Sequence, residues 1–301
     1  MIGDDMEYKG YKVNQEGNSV IVEKVKDFNA VHTFECGQCF RWVRQEDGSY
    51  TGVAKGKVIN VSIANDVLII KNTDLQDFKN IWFDYFDLGR DYGQIKEAVT
   101  KDDNMKRAVE FGWGIRLLKQ DMWETLISFI ISANNKIPRI MKTVEIIAKV
   151  YGDKLFIDDH VYYSFPDVEK LAQSTLEELE VCKGGFRCKY ILNSSDMVRT
   201  GQVNLKQISQ MDTDSAREEL MKFPGVGPKV ADCVLLYSGT KYDVFPTDVW
   251  VKRVMEELYF KREADFGEIQ KFASSYFGDL AGFAQQYLFY YARENKIGSK
   301  V

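Results

Sequence analysis

Histidine and cysteine are scarce in this chain: two and five among 301 residues. That leaves little for metal chemistry. Cys36-x-x-Cys39 could open a zinc site and Cys182 with Cys188 could close it, but the second pair is widely spaced for such a ligand set. Long apolar runs are missing too. None reaches the length of a membrane span, and the opening MIGDDMEYKG lacks a secretory pattern. No membrane partner is expected, and the expected location is the cytosol. Nor is there an excess of positive charge. The formal net charge is −5, which argues mildly against nucleic acid as a partner, although binding needs only a local basic face. Lys183, Arg187 and Lys189 form one basic cluster, Lys136, Arg139 and Lys142 a second, Lys252 and Arg253 a third. Each alone is an ordinary solvated helix face; their meaning depends on whether the fold gathers them. Internal repeats and low-complexity segments are absent.

What is present is the composition of a soluble globular protein, 45% hydrophobic and 28% charged. The first third favours strands at Val20–Val22, Phe40–Val43, Tyr50–Ala54, Val58–Ile63 and Val67–Ile70. Turn signals at Glu46-Asp47-Gly48, Lys55-Gly56 and Asn65-Asp66 separate them, so an antiparallel sheet of hairpins is expected. Helical spacing follows at 75–86 and 92–99. Beyond about residue 119 the period is helical throughout, with a strongly apolar helix at Trp123–Ile131. The fold class expected is α+β: an antiparallel sheet domain with helices over residues 1–118, then an all-helical domain over 119–301.

The richest stretch is LMKFPGVGPKVADCVLLYSGTKYDVFPTDVWVKR, residues 220–253. Phe223-Pro224 stops a helix. Gly225-Val226-Gly227 makes a tight turn, and Pro228 suits the first turn of the next helix. The turn presents backbone N–H groups at a helix N-terminus, which is a ready anion site. Lys229 begins that helix, Cys233 follows one turn later on the same side, and Asp248 stands at the mouth of another helix. An amine, a carboxylate and a phosphate-binding turn together make a plausible covalent nucleophile on nucleic acid. Each part also has an ordinary reading: the turn as a helix connection, Lys229 as a solvated first-turn residue, Asp248 as an N-cap.

The combination closely resembles the helix–hairpin–helix DNA glycosylases, with the motif at about 216–238. In that superfamily the lysine and the aspartate are the catalytic pair, which falls on Lys229 and Asp248. Many members carry a four-cysteine iron–sulfur cluster after the aspartate; no cysteine follows Cys233 here. Four further stretches resemble the 8-oxoguanine DNA glycosylases: Cys36-Gly-Gln-Cys-Phe-Arg-Trp42, Ser132-Ala-Asn-Asn-Lys-Ile-Pro-Arg139, Gly184-Gly-Phe-Arg-Cys-Lys-Tyr190 and Ala281-Gly-Phe-Ala-Gln-Gln-Tyr-Leu-Phe289.

The resemblance implies a role for each. Gly37 reads the lesion, Gln285 the base's Watson–Crick edge, and Phe289 and Cys233 sandwich the flipped base. Asn134 enters the duplex, Phe186 is the wedge, and Arg139 and Arg187 hydrogen-bond the orphaned cytosine. Gly225, Val226, Gly227 and Trp250 contact phosphate. Residue by residue, plainer readings stand beside these. Asn134 could be a helix-end cap, Phe186 could pack in the core, and Gly37 could merely supply a turn. Of Gln285 and Gln286, only one is expected to face inward. Trp250 stands where eukaryotic relatives have histidine, Lys136 replaces an asparagine and Cys39 a small hydroxyl residue, which bears on duplex affinity and suggests a bacterial form.

The expected function is therefore base excision: removal of 8-oxoguanine from damaged double-stranded DNA through a lysine Schiff base, with β-elimination. No cofactor or catalytic metal is needed; a monovalent or divalent cation at the hairpin is the one ion the resemblance suggests. A monomer acting at the bacterial nucleoid is expected. The alternatives are an alkylated-base glycosylase of the same superfamily, whose members usually lack the hairpin lysine, and a non-catalytic DNA-binding protein.

Overall fold

Alternation and tight turns build the first third. In the computed structural model, which describes residues 6–299, seven strands form one antiparallel sheet: β1 (Met6–Tyr8), β2 (Tyr11–Glu16), β3 (Ser19–Val22), β4 (Trp42–Arg44), β5 (Tyr50–Ala54), β6 (Lys57–Ala64) and β7 (Val67–Lys71). Their order is β1-β2-β3-β7-β6-β5-β4. Asn65 and Asp66 both take left-handed backbone, giving the hairpin turn whose twist matches the strands it joins. β1 and β2 go beyond the sequence pattern. Among their residues only Val13 is buried, so their alternation is too faint to read. The leader reading and the outer ends of the ranges 1–118 and 119–301 touch residues 1–5 and 300–301, which lie outside the described residues.

A short helix, α1 (Ala30–Phe34), precedes β4. After the sheet, α2 (Leu75–Asp77) and α3 (Phe83–Tyr85) flank a π-helical turn at Phe78–Trp82. One core closes here, with Val22, Phe34, Trp42, Ile59, Ile70, Trp82 and Phe86 packed under the sheet. Then come α4 (Tyr92–Val99) and α5 (Asp103–Phe111), capped by the Asp91 and Asp102 side chains.

The centre of the larger core is α6 (Met122–Ser132), buried continuously from Thr125 to Ile131. It is followed by α7 (Ile137–Tyr151). The expected all-helical second part is interrupted at this point: β8 (Lys154–Ile157) and β9 (His160–Tyr163) form a hairpin. Tertiary contact makes it. Leu155, Ile157 and Tyr162 pack on Val53 and Val58 of the large sheet, and Asn72 Nδ2 donates to the Phe156 carbonyl at 3.1 Å. Two short helices follow, α8 (Val168–Ala172) and α9 (Leu176–Glu180), divided where Thr175 forms a capping box with Glu178.

The remaining helices are α10 (Arg187–Arg199), α11 (Leu205–Ile208), α12 (Thr213–Leu220), α13 (Pro228–Tyr237), α14 (Val249–Met255), α15 (Phe266–Phe277) and α16 (Ala281–Glu294). The larger core gathers α6, α13 and α16 and also takes in Tyr92, Ile95 and Met105 from α4 and α5. Among the described residues no helix is long and apolar enough to cross a membrane.

Candidate active site

The hairpin between α12 and α13 follows from its sequence. Phe223 N–H donates to the Leu220 carbonyl at 3.2 Å, and Val226 N–H to the Phe223 carbonyl at 3.1 Å. Gly225 takes φ +80°, and a Cβ built there would lie 2.5 Å from Tyr190 Cδ2 on α10. Both facts demand glycine. Gly227 is not under the same demand: its backbone is extended at φ −101° as the N-cap of α13, and a Cβ there would meet open space. Gly225 and Gly227 are exposed, while Val226 is buried.

Lys229, half-buried in the first turn of α13, holds its Nζ 5.4 Å from the Phe129 ring centroid. Asp248 is the N-cap of α14, its Oδ1 accepting from Trp250 N at 2.9 Å and Val251 N at 2.8 Å. The capping reading is thus correct as structure and leaves the second carboxylate oxygen for other work. The turn after α1 brings Gly37, with φ +90°, so close to α16 that a Cβ would lie 3.1 Å from Phe289 Cε1.

These elements enclose one cavity of about 150 Å³. Gly37, Lys229, Cys233, Asp248, Gln285 and Phe289 all line it. Six residues singled out from three separate stretches of sequence therefore meet in one place. Lys229 is the one amine and Asp248 the one carboxylate of that lining. Phe40, Phe129 and Tyr237 form an aromatic wall, with Phe129 and Tyr237 stacked at 5.2 Å. Burial pushes the Cys233 thiol up to about 11, against the pull of the Lys229 ammonium. It stays protonated near neutral pH and offers an apolar sulfur face, not a nucleophile. Gln285 Nε2 donates to the Pro246 carbonyl at 3.2 Å, while its buried Oε1 has no partner. Trp250 and Phe289 meet edge to face, 5.2 Å between centroids and 88° between planes.

The other four candidates gather beside the cavity, joined to it by Ser132 and Asn135 of its lining. Asn134 is exposed with φ +50°, and it is not the helix-end cap; Asn135 takes that task, its Nδ2 donating to the Ile131 carbonyl at 3.1 Å. Phe186 is 61% exposed, so it is not a core residue. Arg139 is exposed on the first turn of α7. Arg187 is buried, and two of its nitrogens are engaged: Nε donates to the Ala133 carbonyl at 3.0 Å and Nη2 to the Asn134 carbonyl at 3.1 Å, while Nη1 has only a 3.4 Å contact to the Gly184 carbonyl. Its guanidinium lies 4.4 Å from the Phe186 ring centroid. Burial, and next the nearby Arg139 charge, hold its pKa below the usual arginine range.

Gln286 overturns the expectation that only one of the glutamine pair faces inward. Gln285 is 3% exposed and Gln286 1%. From Ala281 to Leu288 every residue of α16 is buried, so this helix has no solvent side there to receive the second glutamine. Asn135, Phe129 and Tyr237 likewise belong to the site without having been singled out; the aromatic pair carried no signal beyond ordinary core spacing.

Residues 20–126 match the N-terminal domain of 8-oxoguanine DNA glycosylases. Residues 127–277, half of the chain, match the HhH-GPD superfamily of base excision DNA repair proteins, the junction falling inside α6. The chain is 33% identical over 234 residues to a probable N-glycosylase/DNA lyase of Methanothermobacter thermautotrophicus, covering 70% of this chain and 74% of that one. The 8-oxoguanine glycosylase/lyase of Clostridium acetobutylicum, solved with double-stranded DNA containing cytosine opposite 8-oxoguanine, shares 46% identity; 97% of this chain and all 100% of that one superpose with a TM-score of 0.93. MBOgg1, solved with a low-affinity DNA ligand, shares 54% identity over the same proportions with a TM-score of 0.94. Fold and site thus define a base excision repair protein of the HhH-GPD superfamily. Within it, the chain belongs to the 8-oxoguanine DNA glycosylase family of N-glycosylase/DNA lyases.

Proposed function

We propose that this chain flips 8-oxoguanine out of duplex DNA into the cavity around Lys229, excises it, and nicks the strand through the same lysine. The observation that carries the reading is the single amine, beside the single carboxylate, in a base-sized recess that also contains Gly37, Gln285 and Phe289. The Lys229 nitrogen attacks the sugar C1′ as the C1′–N9 bond breaks, and the base leaves with a proton. Expulsion of the ring oxygen gives a Schiff base, and loss of a C2′ proton then expels the 3′ phosphate. Asp248 stabilises the positive charge that develops on the sugar or orients the amine. The unpartnered Gln285 Oε1 accepts from the base's Watson–Crick edge, and Phe289 and the Cys233 thiol hold its two faces.

Around the cavity, Asn134 and Phe186 fill the space the flipped nucleotide leaves, and Arg139 and Arg187 hydrogen-bond the orphaned cytosine. The hairpin backbone at Gly225 to Gly227, with Trp250, meets the phosphate backbone. The carbonyls of Gly225 and Val226 accept no hydrogen bond among the described residues, so they fit a monovalent or divalent cation, which would neutralise phosphate charge there. The chemistry is carried by protein side chains alone. We place the enzyme as a monomer in the bacterial cytoplasm, at the nucleoid.

Borohydride trapping tests the reading. The native chain should be captured covalently on an 8-oxoguanine duplex, whereas Lys229→Gln should bind the lesion without capture, excision or nicking. Undiminished capture with the variant would remove Lys229 as the nucleophile.

A further inference from the structure

The turn that carries Gly37 is held carbonyl by carbonyl. Arg293 Nη2 donates to the Glu35 carbonyl at 2.5 Å, Gln286 Nε2 to the Cys36 carbonyl at 3.1 Å, and Gln120 Nε2 to the Gln38 carbonyl at 2.8 Å. The Gln38 side chain is fixed as well, donating to the Thr33 and Arg116 carbonyls, both at 2.8 Å, and accepting from Leu118 N at 2.9 Å. Gly37 stands alone among these four residues: its carbonyl accepts no hydrogen bond among the described residues. Two of the three clamps come from α16, the helix that also supplies Gln285 and Phe289 to the cavity.

Gln286 differs from the other two clamps because both ends of its amide are used. Its Oε1 accepts from the Tyr237 hydroxyl at 2.8 Å. Tyr237 ends α13, the helix whose first turn holds Lys229. The orientation of the amide is fixed by chemistry, since the Cys36 carbonyl can only accept and so must face the NH₂ end. With 1% exposure, the amide has no water to replace either partner. The result is a buried link from the nucleophile's helix through one side chain to the residue before Gly37.

We infer that Gln286, with Tyr237 behind it, is a positioning residue for lesion discrimination: it fixes the Gly37 carbonyl relative to α13, so that the base is read in register with the attacking amine. This rests on the excision reading given above. Oxidation at C8 turns the base's N7 from an acceptor into an N–H donor. An acceptor held in place therefore separates damaged from undamaged guanine only while its position is rigid. Gln286 touches neither base nor sugar in this scheme. Its influence falls on base reading and spares the abasic sugar, where Lys229 works without a base to recognise.

The test is Gln286→Leu, which keeps volume and deletes both bonds, in single-turnover assays at saturating enzyme on two duplexes. One carries 8-oxoguanine opposite cytosine, the other a preformed abasic site. Excision should fall about tenfold or more, as expected for a buried bond lost with its partners left unpaired, while abasic-site nicking stays within about twofold. Equal losses on both duplexes, or no loss on either, would overturn the inference. Gln286→Glu keeps the inference testable if the leucine variant folds poorly. The protonated side chain can still donate to the Cys36 carbonyl and the ionised one cannot, so its excision rate, relative to native, should climb as pH falls while its nicking rate does not. A flat ratio would overturn the inference equally. Native protein that is inactive on both duplexes would instead refute the excision reading itself.

Discussion

At the scale of single residues, Asp248 has two tasks that one substitution separates. Its Oδ1 caps α14, and asparagine caps about as well as aspartate. Asp248→Asn should therefore melt within about 1 kcal/mol of native yet lose turnover by about 10²-fold or more, as expected when charge stabilisation of a transition state is removed. Near-native single-turnover rates would reduce the aspartate to a cap. Much of the site was legible at this scale because chemistry leaves marks on composition. A lysine in the first turn after a glycine hairpin, a glutamine on an apolar helix and a glycine before an aromatic strand are each locally odd. Gln286 was not legible. Helical periodicity assigns one of two adjacent residues to the inside only when the helix has an outside, and α16 lacks one from Ala281 to Leu288.

At the scale of elements, the turn between α6 and α7 is held by a neighbour. Arg187, at the start of α10, donates to the carbonyls of Ala133 and Asn134. Arg139, on α7, is exposed and makes no such bond among the described residues. Both should lose preference for cytosine opposite the lesion when changed to alanine, by roughly 1–3 kcal/mol per bidentate contact. Their stabilities should differ. Arg139→Ala should stay within about 0.5 kcal/mol of native, whereas Arg187→Ala removes a buried side chain and its bonds to the Ala133 and Asn134 carbonyls and should cost roughly 1–3 kcal/mol in chemical denaturation. Equal melting of the two variants would mean the Arg187 bonds do not hold the turn. Elements with strong internal patterns, β5 to β7, α6, α13 and α16, could be read from sequence. The β8–β9 hairpin could not: Phe156 and Val161 remain exposed, and what fixes it is the distant sheet residues Val53 and Val58.

At the scale of the whole molecule, one buried contact ties the sheet to the helical half. Arg41, just before β4, places Nη1 3.8 Å from Glu124 of α6 and donates through Nη2 to the Tyr163 carbonyl of β9 at 2.5 Å. Burial pushes the Glu124 carboxyl up to about 7, against the opposing pull of Arg41. Between the ordinary carboxylate value of 4.5 and about 7, the unfolded chain has released this proton and the folded chain keeps it. Stability therefore falls as pH rises through that window and levels off above it. Glu124→Gln should flatten this component in melting curves taken across the window; an unchanged slope would assign it to other groups. The thiols have a consequence of another kind. All five cysteines are free and buried, and burial raises the pKa of every one, Cys36, Cys182 and Cys233 to about 11. Peroxide attacks thiolates, not thiols. An enzyme whose substrate is generated by oxidants thus presents them with no easy thiol target. Incubation with millimolar hydrogen peroxide should leave both the number of free thiols, counted after denaturation, and the excision rate unchanged, so that repair capacity survives the stress that creates the need for it.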